Sequence, residues 1–128
     1  MISHVQLVTI YVSDLDTAQE FYTHKLGFDL LAEWQDENTN DRMLFFAPKG
    51  AQETEIGLYA PPTGDPRIGA STGIVFTSKD VETTYHEMKA QGVHFTRPLT
   101  RLPYGNRPGG DLEAEFVDPD GNTFLLHT

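Results

Sequence analysis

The acidic and imidazole side chains best suited to chemistry lie on strand-like segments in the second half of the chain. Glu113 and Glu115 alternate with the apolar Ala114 and Phe116, so both carboxylates should face one side of a strand. His127 stands in the closing segment TFLLH, which also reads as a strand. Carboxylates beside an imidazole can bind a divalent cation or transfer a proton.

The first half adds one acid to this set, Glu55, in the strand-like segment ETEIGLY. A site built from His127, Glu55 and either Glu113 or Glu115 would bind a metal ion, or would let His127 act as a base. The simpler alternative is a structural or solvated histidine near the end of the chain. No pair at a helical metal-binding spacing is found among the remaining histidines, which are His4, His24, His86 and His94.

Composition narrows the classes of chemistry and of partner. The 128 residues include no cysteine, which excludes a thiolate nucleophile, a disulfide and a cysteine metal site, and which suits a cytoplasmic location. The formal charge of −10 would repel a phosphate backbone, so we expect no nucleic-acid partner. The same charge would attract a cationic ligand, or simply keep the surface solvated. The sequence shows no leader and no membrane-spanning segment, so no membrane partner is expected.

The chain looks duplicated. The segment IYVSDLDTAQEFYTHKLGF (10–28) has a counterpart in FTSKDVETTYHEMKAQGV (76–93). In each segment a β-rich run ends at an aspartate that can cap a helix, Asp14 or Asp80. A helical pattern follows and ends near a glycine. The first helix is predicted from the apolar stripe Leu15, Ala18, Tyr22 and Leu26, and the second over 81–91.

Strands fill the remainder of both halves. They are predicted at 5–12, 28–35, 42–47 and 53–59, and then at 73–78, 93–96, 111–117 and 123–127. Each half therefore has the order β-α-β-β-β, which predicts an α+β fold. Because neither half could close a core alone, we expect one domain over 1–128, with module one at about 1–60, a linker at 61–71 and module two at about 72–128.

Two such modules, the pattern VSDLDTAQEFYTHKLGF and a closing DPDGN resemble the vicinal oxygen chelate superfamily. That group includes glyoxalase I, extradiol dioxygenases, fosfomycin-resistance enzymes and bleomycin-binding proteins. The resemblance covers essentially the whole chain. It implies a cupped, barrel-like mixed sheet with helices on its outer face, and a homodimer. It is poorly specific for function, because the fold carries unrelated chemistries.

The resemblance also implies four positions for metal ligands, one on the first and one on the last strand of each module. Counting back from the two capping aspartates places the first-strand positions at Leu7 and Gly73. The last-strand positions fall at Gly57 and Leu125, where the family pattern usually has a glutamate or another donor. None of the four has a side-chain oxygen or nitrogen, so we expect no metal and no other cofactor.

Alternation along the strands predicts what would line the cup instead. We expect a pocket with aromatic walls and a few acids, the usual character of a ligand site. The alternative is that these side chains fill an ordinary core, where aromatic residues are equally common. The predicted ligand-binding residues are Tyr11, Trp34, Phe46, Glu55, Tyr59, Glu113, Glu115 and His127.

Three functions remain open at this point. The first is a small-molecule binding protein that captures an aromatic or cationic ligand without a metal. The second is an enzyme of lyase, isomerase or dioxygenase type, either with an unusual metal site or without metal. The third is an accessory domain whose sheet contacts a partner.

Overall fold

The computed structural model of the chain describes residues 1–51 and 53–128. Backbone contacts divide the chain into two compact units, Met1–Gly69 and Ala70–Thr128. The boundary lies within the segment 61–71 that was predicted to link the modules. Neither of the helices in the described residues is long and apolar enough to cross a bilayer.

The first unit is a four-stranded mixed sheet with one helical segment. Strand β1 pairs in parallel with β4, and β4, β3 and β2 follow in antiparallel order. Helix α1 begins after Asp14, whose carboxylate accepts from the backbone N–H of Asp16 at 3.1 Å. The elements are β1 Leu7–Tyr11, α1 Leu15–Glu20, a π-helical turn Phe21–Lys25, β2 Phe28–Gln35, β3 Arg42–Pro48 and β4 Glu55–Tyr59.

The second unit repeats this arrangement. Strand β5 pairs in parallel with β8, and β8, β7 and β6 follow in antiparallel order. Helix α2 begins after Asp80, which accepts from the N–H of Thr83 at 3.0 Å. The elements are β5 Ser71–Phe76, α2 Val81–Ala90, β6 His94–Arg101, β7 Leu112–Val117 and β8 Thr123–His127.

The predicted α+β class and the two β-α-β-β-β modules are confirmed. The first helix differs from the prediction, because α1 ends at Glu20 and continues as the π-helical turn. Strand β6 is longer than the predicted 93–96 and extends to Arg101. It can include Pro98 because it lies at the edge of its sheet, where a missing N–H costs no ladder bond.

Each helical segment covers one face of the sheet in its own unit. In the first unit, the buried Tyr22 of the π-helical turn packs with its ring 6.2 Å from that of Phe46 on β3. In the second, α2 packs on β6, β7 and β8, and the buried Phe116 and Phe124 stack with ring centroids 5.3 Å apart. In each unit we call the sheet face opposite the helix the open face.

The DPDGN segment between β7 and β8 is fixed by a buried polar contact. Asp118 and Asn122 are 4% and 1% exposed. The Asp118 carboxylate accepts from the backbone N–H groups of Asp120 and Asn122, both at 2.9 Å, and from the Asn122 amide at 2.8 Å. Gly121 between them has φ +83°, a conformation that favours glycine. The motif is therefore a turn, stabilised by its own hydrogen bonds, that leads into β8.

We expect Asn122→Ala to lower the free energy of unfolding by about 1–3 kcal/mol, because it removes a buried hydrogen bond to the Asp118 carboxylate. Urea denaturation would measure the change. Asn38→Ala removes an exposed amide from a loop of the first unit and should have little effect. Equal midpoints for the two variants would contradict the structural role of the Asp118–Asn122 contact.

Candidate functional site

A row of large side chains crosses the open face of the first unit. Tyr11 on β1 pairs with Tyr59 on β4, Tyr59 pairs with Met43 on β3, and Met43 pairs with Trp34 on β2. Directly paired residues of neighbouring strands point to the same side of a sheet, so these four form one continuous strip. The Tyr11 and Tyr59 rings meet edge to face, 6.4 Å apart at 82°. Trp34 is 48% exposed at the other end. We call these four residues the aromatic row.

Beside the aromatic row lies a glycine, Gly57, over which two apolar side chains pack. Gly57 lies on β4 two residues before Tyr59, between Thr9 of β1 and Phe45 of β3. Its φ is not in the left-handed region, so conformation alone does not demand glycine there. A Cβ at this position would lie 3.1 Å from Leu7 Cδ1 and 3.3 Å from Met43 Cε. The absence of a side chain therefore lets Leu7 and Met43 close over the backbone.

The prediction that Phe46 lines this face is wrong. Phe46 pairs with Ile56, which lies on the helix-covered face, and its side chain is 0% exposed. Phe45 pairs with Gly57 and takes the open-face position. The error has a simple cause, because Leu44, Phe45 and Phe46 are all apolar, and a run without alternation does not reveal which face is buried.

Glu55 lies at the opposite end of β4 from Tyr59, about 13 Å away at the usual rise per strand residue. It is half-buried and pairs with Leu7. It borders a cavity of about 250 Å³ that His4 and Glu53 also line. Glu55 therefore belongs to the margin of the open face and not to the aromatic row.

A cation covers the Tyr11 end of the row. The guanidinium carbon of Arg67 lies 3.9 Å from the centroid of the Tyr11 ring. Asp65 holds this guanidinium, with Oδ1 accepting from Nε at 3.0 Å and Oδ2 from Nη2 at 2.8 Å. The Arg67 backbone N–H donates to the same carboxylate at 2.9 Å. The side-chain hydrogen bond to Arg67 is the main reason that the pKa of Asp65 is lowered to about 2.

The open face of the second unit carries a charged network instead. His127 Nδ1 lies 2.8 Å from Glu113 Oε2, and its Nε2 lies 3.0 Å from Asp111 Oδ2. Arg97 Nη2 donates to the other Glu113 oxygen at 2.5 Å. The four side chains form a chain of alternating charge in which each carboxylate has a donor.

The network favours the protonated form of His127. Both ring nitrogens face carboxylate oxygens, and only the doubly protonated imidazolium can donate to both. The hydrogen bonds to Glu113 and then Asp111 raise the pKa of His127, and the bond to His127 lowers the pKa of each acid. An imidazolium in this position has no lone pair with which to accept a proton or bind a metal.

Glu115 lies on the same open face but outside the network. It pairs with Leu125 and Arg97 across the sheet. Its carboxylate accepts from the Thr96 hydroxyl at 2.7 Å. The structure therefore brings His127 and Glu113 into contact and leaves Glu115 separate, on the neighbouring row.

The loop that leads into β7 is closed around Asp111. The backbone N–H of Arg107 donates to the Asp111 carboxylate at 3.1 Å. A Cβ at Gly105 would overlap that carboxylate, and a Cβ at Gly110 would overlap the carbonyl of Leu102. His127 thus binds an acid that also organises the loop.

Comparison with known proteins assigns the family. The model of the Glyoxalase/Bleomycin resistance protein/Dioxygenase superfamily matches residues 2–126. The chain belongs to this superfamily. It is 37% identical over 128 residues to protein YetH of Bacillus subtilis (strain 168), with 98% of each chain covered. The resemblance stated from the sequence is thereby confirmed.

Two further similar proteins have different functions, one in binding and one in catalysis. The chain is 36% identical to TnmS3, an antibiotic binding protein from Streptomyces sp. CB03234, with 98% and 94% of the two chains covered and a TM-score of 0.74. It is also 30% identical over 122 residues to the lactoylglutathione lyase GLX1 of Arabidopsis thaliana. That alignment covers 93% of this chain and 42% of the plant protein, so the chain spans less than half of it.

The metal site that the superfamily implies does not fit the residues present. At the first-unit positions, Leu7 packs over Gly57, so hydrocarbon lies where ligand atoms would be needed. Leu125 and Gly73 likewise contribute no donor. Among the residues that the structure describes, no three His, Asp or Glu side chains are grouped so as to hold an ion. The donor set of this superfamily member is therefore incompatible with a family-type divalent metal centre.

Several residues near the candidate site were missed from the sequence. Met43 and Phe45 were missed because the face of β3 was assigned incorrectly. Arg67 lies in the segment read as a linker, although a DPR triplet with acid and base two apart is a recognisable local pair. Arg97 and Asp111 are far from His127 in sequence, and only the register of β6, β7 and β8 brings them together.

We expect the stability of the protein to fall as the pH rises above neutrality. A raised His127 pKa means that its bonds contribute fully below the ordinary value of 6.5 and are lost as the pH rises through the raised value. His127→Gln should flatten this dependence between about pH 6 and pH 9, and should cost about 1–3 kcal/mol at the lower pH. Urea denaturation at about pH 6 and about pH 9 measures the free energy of unfolding. His94→Gln, at an exposed position of β6, is the control, and equal pH slopes for the two variants would contradict the network.

The mismatch of donors predicts weak metal binding. Titration of chelator-treated protein with Zn²⁺, Ni²⁺ or Mn²⁺ in a calorimeter should reveal no stoichiometric site tighter than about 1 μM. The physical reason is that alkyl groups and an imidazolium offer no lone pairs. One equivalent of metal retained through gel filtration would overturn this conclusion.

Proposed function

We propose that this superfamily member binds a small, planar aromatic molecule on the open face of its first unit and does not transform it. The aromatic row is the observation that carries the proposal. It presents Tyr11, Tyr59, Met43 and Trp34 side by side on a face that the helix of the unit does not cover. Flat apolar guests are held by contact of this kind, with a few polar groups setting their orientation.

The floor of the face supports the same conclusion. Gly57 adds no side chain beside the row, so Leu7 and Met43 pack over its backbone and extend the apolar surface that a flat guest would contact. Met43 lies between the two aromatic ends, and its flexible thioether can adapt to the shape of a bound ring. An aromatic strip with a flexible side chain near its centre could bind planar ligands of several different shapes.

The antibiotic binding protein TnmS3 adds support, because it is 36% identical over nearly the full length of both chains. We extend to this chain the binding of a small molecule. A homodimer in the cytoplasm, with a small molecule as its partner, is part of this proposal. The predicted contacts through Glu55, Glu113, Glu115 and His127 would be secondary to the row.

An enzymatic function is the second candidate, favoured by the 30% identity to the lactoylglutathione lyase GLX1. Two observations weigh against it. The family-type metal positions carry no donors, and these are needed for a Lewis acid. The two carboxylates at its ring nitrogens favour the imidazolium form of His127, which has no lone pair with which to act as a base. Metal-dependent turnover by this chain in a lactoylglutathione lyase assay would reverse the ranking.

The proposal predicts that Trp34→Ala weakens binding of a neutral planar probe, 2-(hydroxymethyl)anthraquinone, by about tenfold, which corresponds to about 1.4 kcal/mol of lost ring contact. Isothermal titration calorimetry measures the affinity of the probe for the unmodified protein and for the variant. Because Trp34 is the only tryptophan of the sequence, quenching of its emission reports the bound ring directly.

Tyr104→Ala provides the matched control, since Tyr104 is an aromatic residue of the second unit with 67% exposure. It should leave the affinity unchanged. Binding that is lost equally in both variants, or saturable binding that does not alter Trp34 emission, would contradict the assignment to the aromatic row.

A further inference from the structure

We propose that Arg67 makes the aromatic row selective for planar aromatic molecules that carry an acidic group, such as a carboxylate, and against those that carry an ammonium group. This inference rests on the proposed function and specifies the ligand class for the same site. It departs from the expectation, drawn from the net charge, that a cationic guest would be favoured.

The position of the Arg67 guanidinium is fixed at both sides. Below it lies the Tyr11 ring, with 3.9 Å between the guanidinium carbon and the ring centroid. Beside it lies Asp65, which binds Nε and Nη2 in the two-point geometry typical of an arginine and a carboxylate. The Asp65 side chain is only 16% exposed, whereas that of Arg67 is 53% exposed. A mostly buried carboxylate thus holds the guanidinium in place, while about half of the arginine side chain is exposed to solvent.

The face of Tyr11 therefore already holds a cation. The face of an aromatic ring attracts a cation through its negative charge, and here an internal guanidinium covers one face of Tyr11. A guest ammonium group at this end of the row would meet a like charge at close range. The electrostatic attraction that tyrosine rings usually offer to cationic ligands is unavailable at this end.

An acidic guest meets the opposite situation. Two guanidinium nitrogens of Arg67, Nε and Nη2, donate to Asp65. The third, Nη1, has no carboxylate partner among the residues that the structure describes. A guest carboxylate can accept a charge-assisted hydrogen bond from it, which is a stronger contact than a neutral one. Guanidinium groups also stack on aromatic planes, so a flat guest can extend the Tyr11–Arg67 stack.

These contacts give the row a direction. The acidic group of a guest would lie at the Tyr11 end, and its rings would extend along Tyr59 and Met43 towards Trp34. Successive strands are about 4.8 Å apart, so the row spans roughly 14 Å from Tyr11 to Trp34. Glu55 lies at the far end of β4 and does not oppose the guest carboxylate directly.

The test uses two probes of one shape, anthraquinone-2-carboxylate and 2-(aminomethyl)anthraquinone, at about 0.15 M salt to limit the long-range effect of the net charge. For the unmodified protein we expect the carboxylate to bind about tenfold more tightly than the amine. Arg67→Gln should bring the two affinities within about twofold of each other. Lys49→Gln removes one exposed positive charge from the same unit and should leave the ratio unchanged.

The outcomes separate this inference from the proposed function. If both probes bind but Arg67→Gln leaves their ratio as it was, or if the amine binds more tightly, the selectivity assigned to Arg67 is refuted while capture of aromatic molecules stands. If neither charged probe nor the neutral hydroxymethyl compound quenches Trp34, the proposed function itself fails. Equal unfolding midpoints for the variants confirm that the fold is retained.

Discussion

The side chains of the aromatic row take their places from the register of β4, which pairs with β1 on one side and with β3 on the other. Alternation along this strand sends Ile56 and Leu58 into the core and leaves Gly57 and Tyr59 on the open face. A shift of one residue would reverse both sets. The packing of the helical segment against the core face therefore also determines which side chains the open face presents.

The two units use the same backbone plan to present different chemistry. The open face of the first unit is mainly aromatic and aliphatic, and the guanidinium that covers Tyr11 is held by Asp65. The open face of the second unit carries Arg97, Glu113 and His127, whose charges compensate each other through short hydrogen bonds. Each of these charged groups has a partner within the network, and the network thereby stabilises a local geometry.

The sequence predicted much of the architecture because the decisive signals are local. Asp14 and Asp80 cap their helices as expected, and DPDGN forms a turn held by Asp118 and Asn122. The duplicated order of elements also follows from local patterns. The family pattern placed two of the metal-ligand positions at Leu7 and Gly57, whose side chains contain no oxygen or nitrogen.

The candidate site was less predictable because it depends on contacts between distant segments. The face of Phe46 could not be read from three consecutive apolar residues, and Arg67 lies in a segment without regular structure. No sequence pattern indicates that its guanidinium lies over Tyr11, more than 50 positions earlier in the chain. The His127 network similarly needs the pairing of three strands before its members meet.

The glycines around Asp111 limit how this protein can diversify. Because Gly105 and Gly110 adjoin atoms that leave no room for a Cβ, drift at either position would force the loop to rebuild. Changes of recognition in descendants of this chain should therefore accumulate on the strands of the first sheet, where a substitution alters a surface and leaves the backbone path intact. The segment before β7 would then stay constant in sequence while the first unit varies.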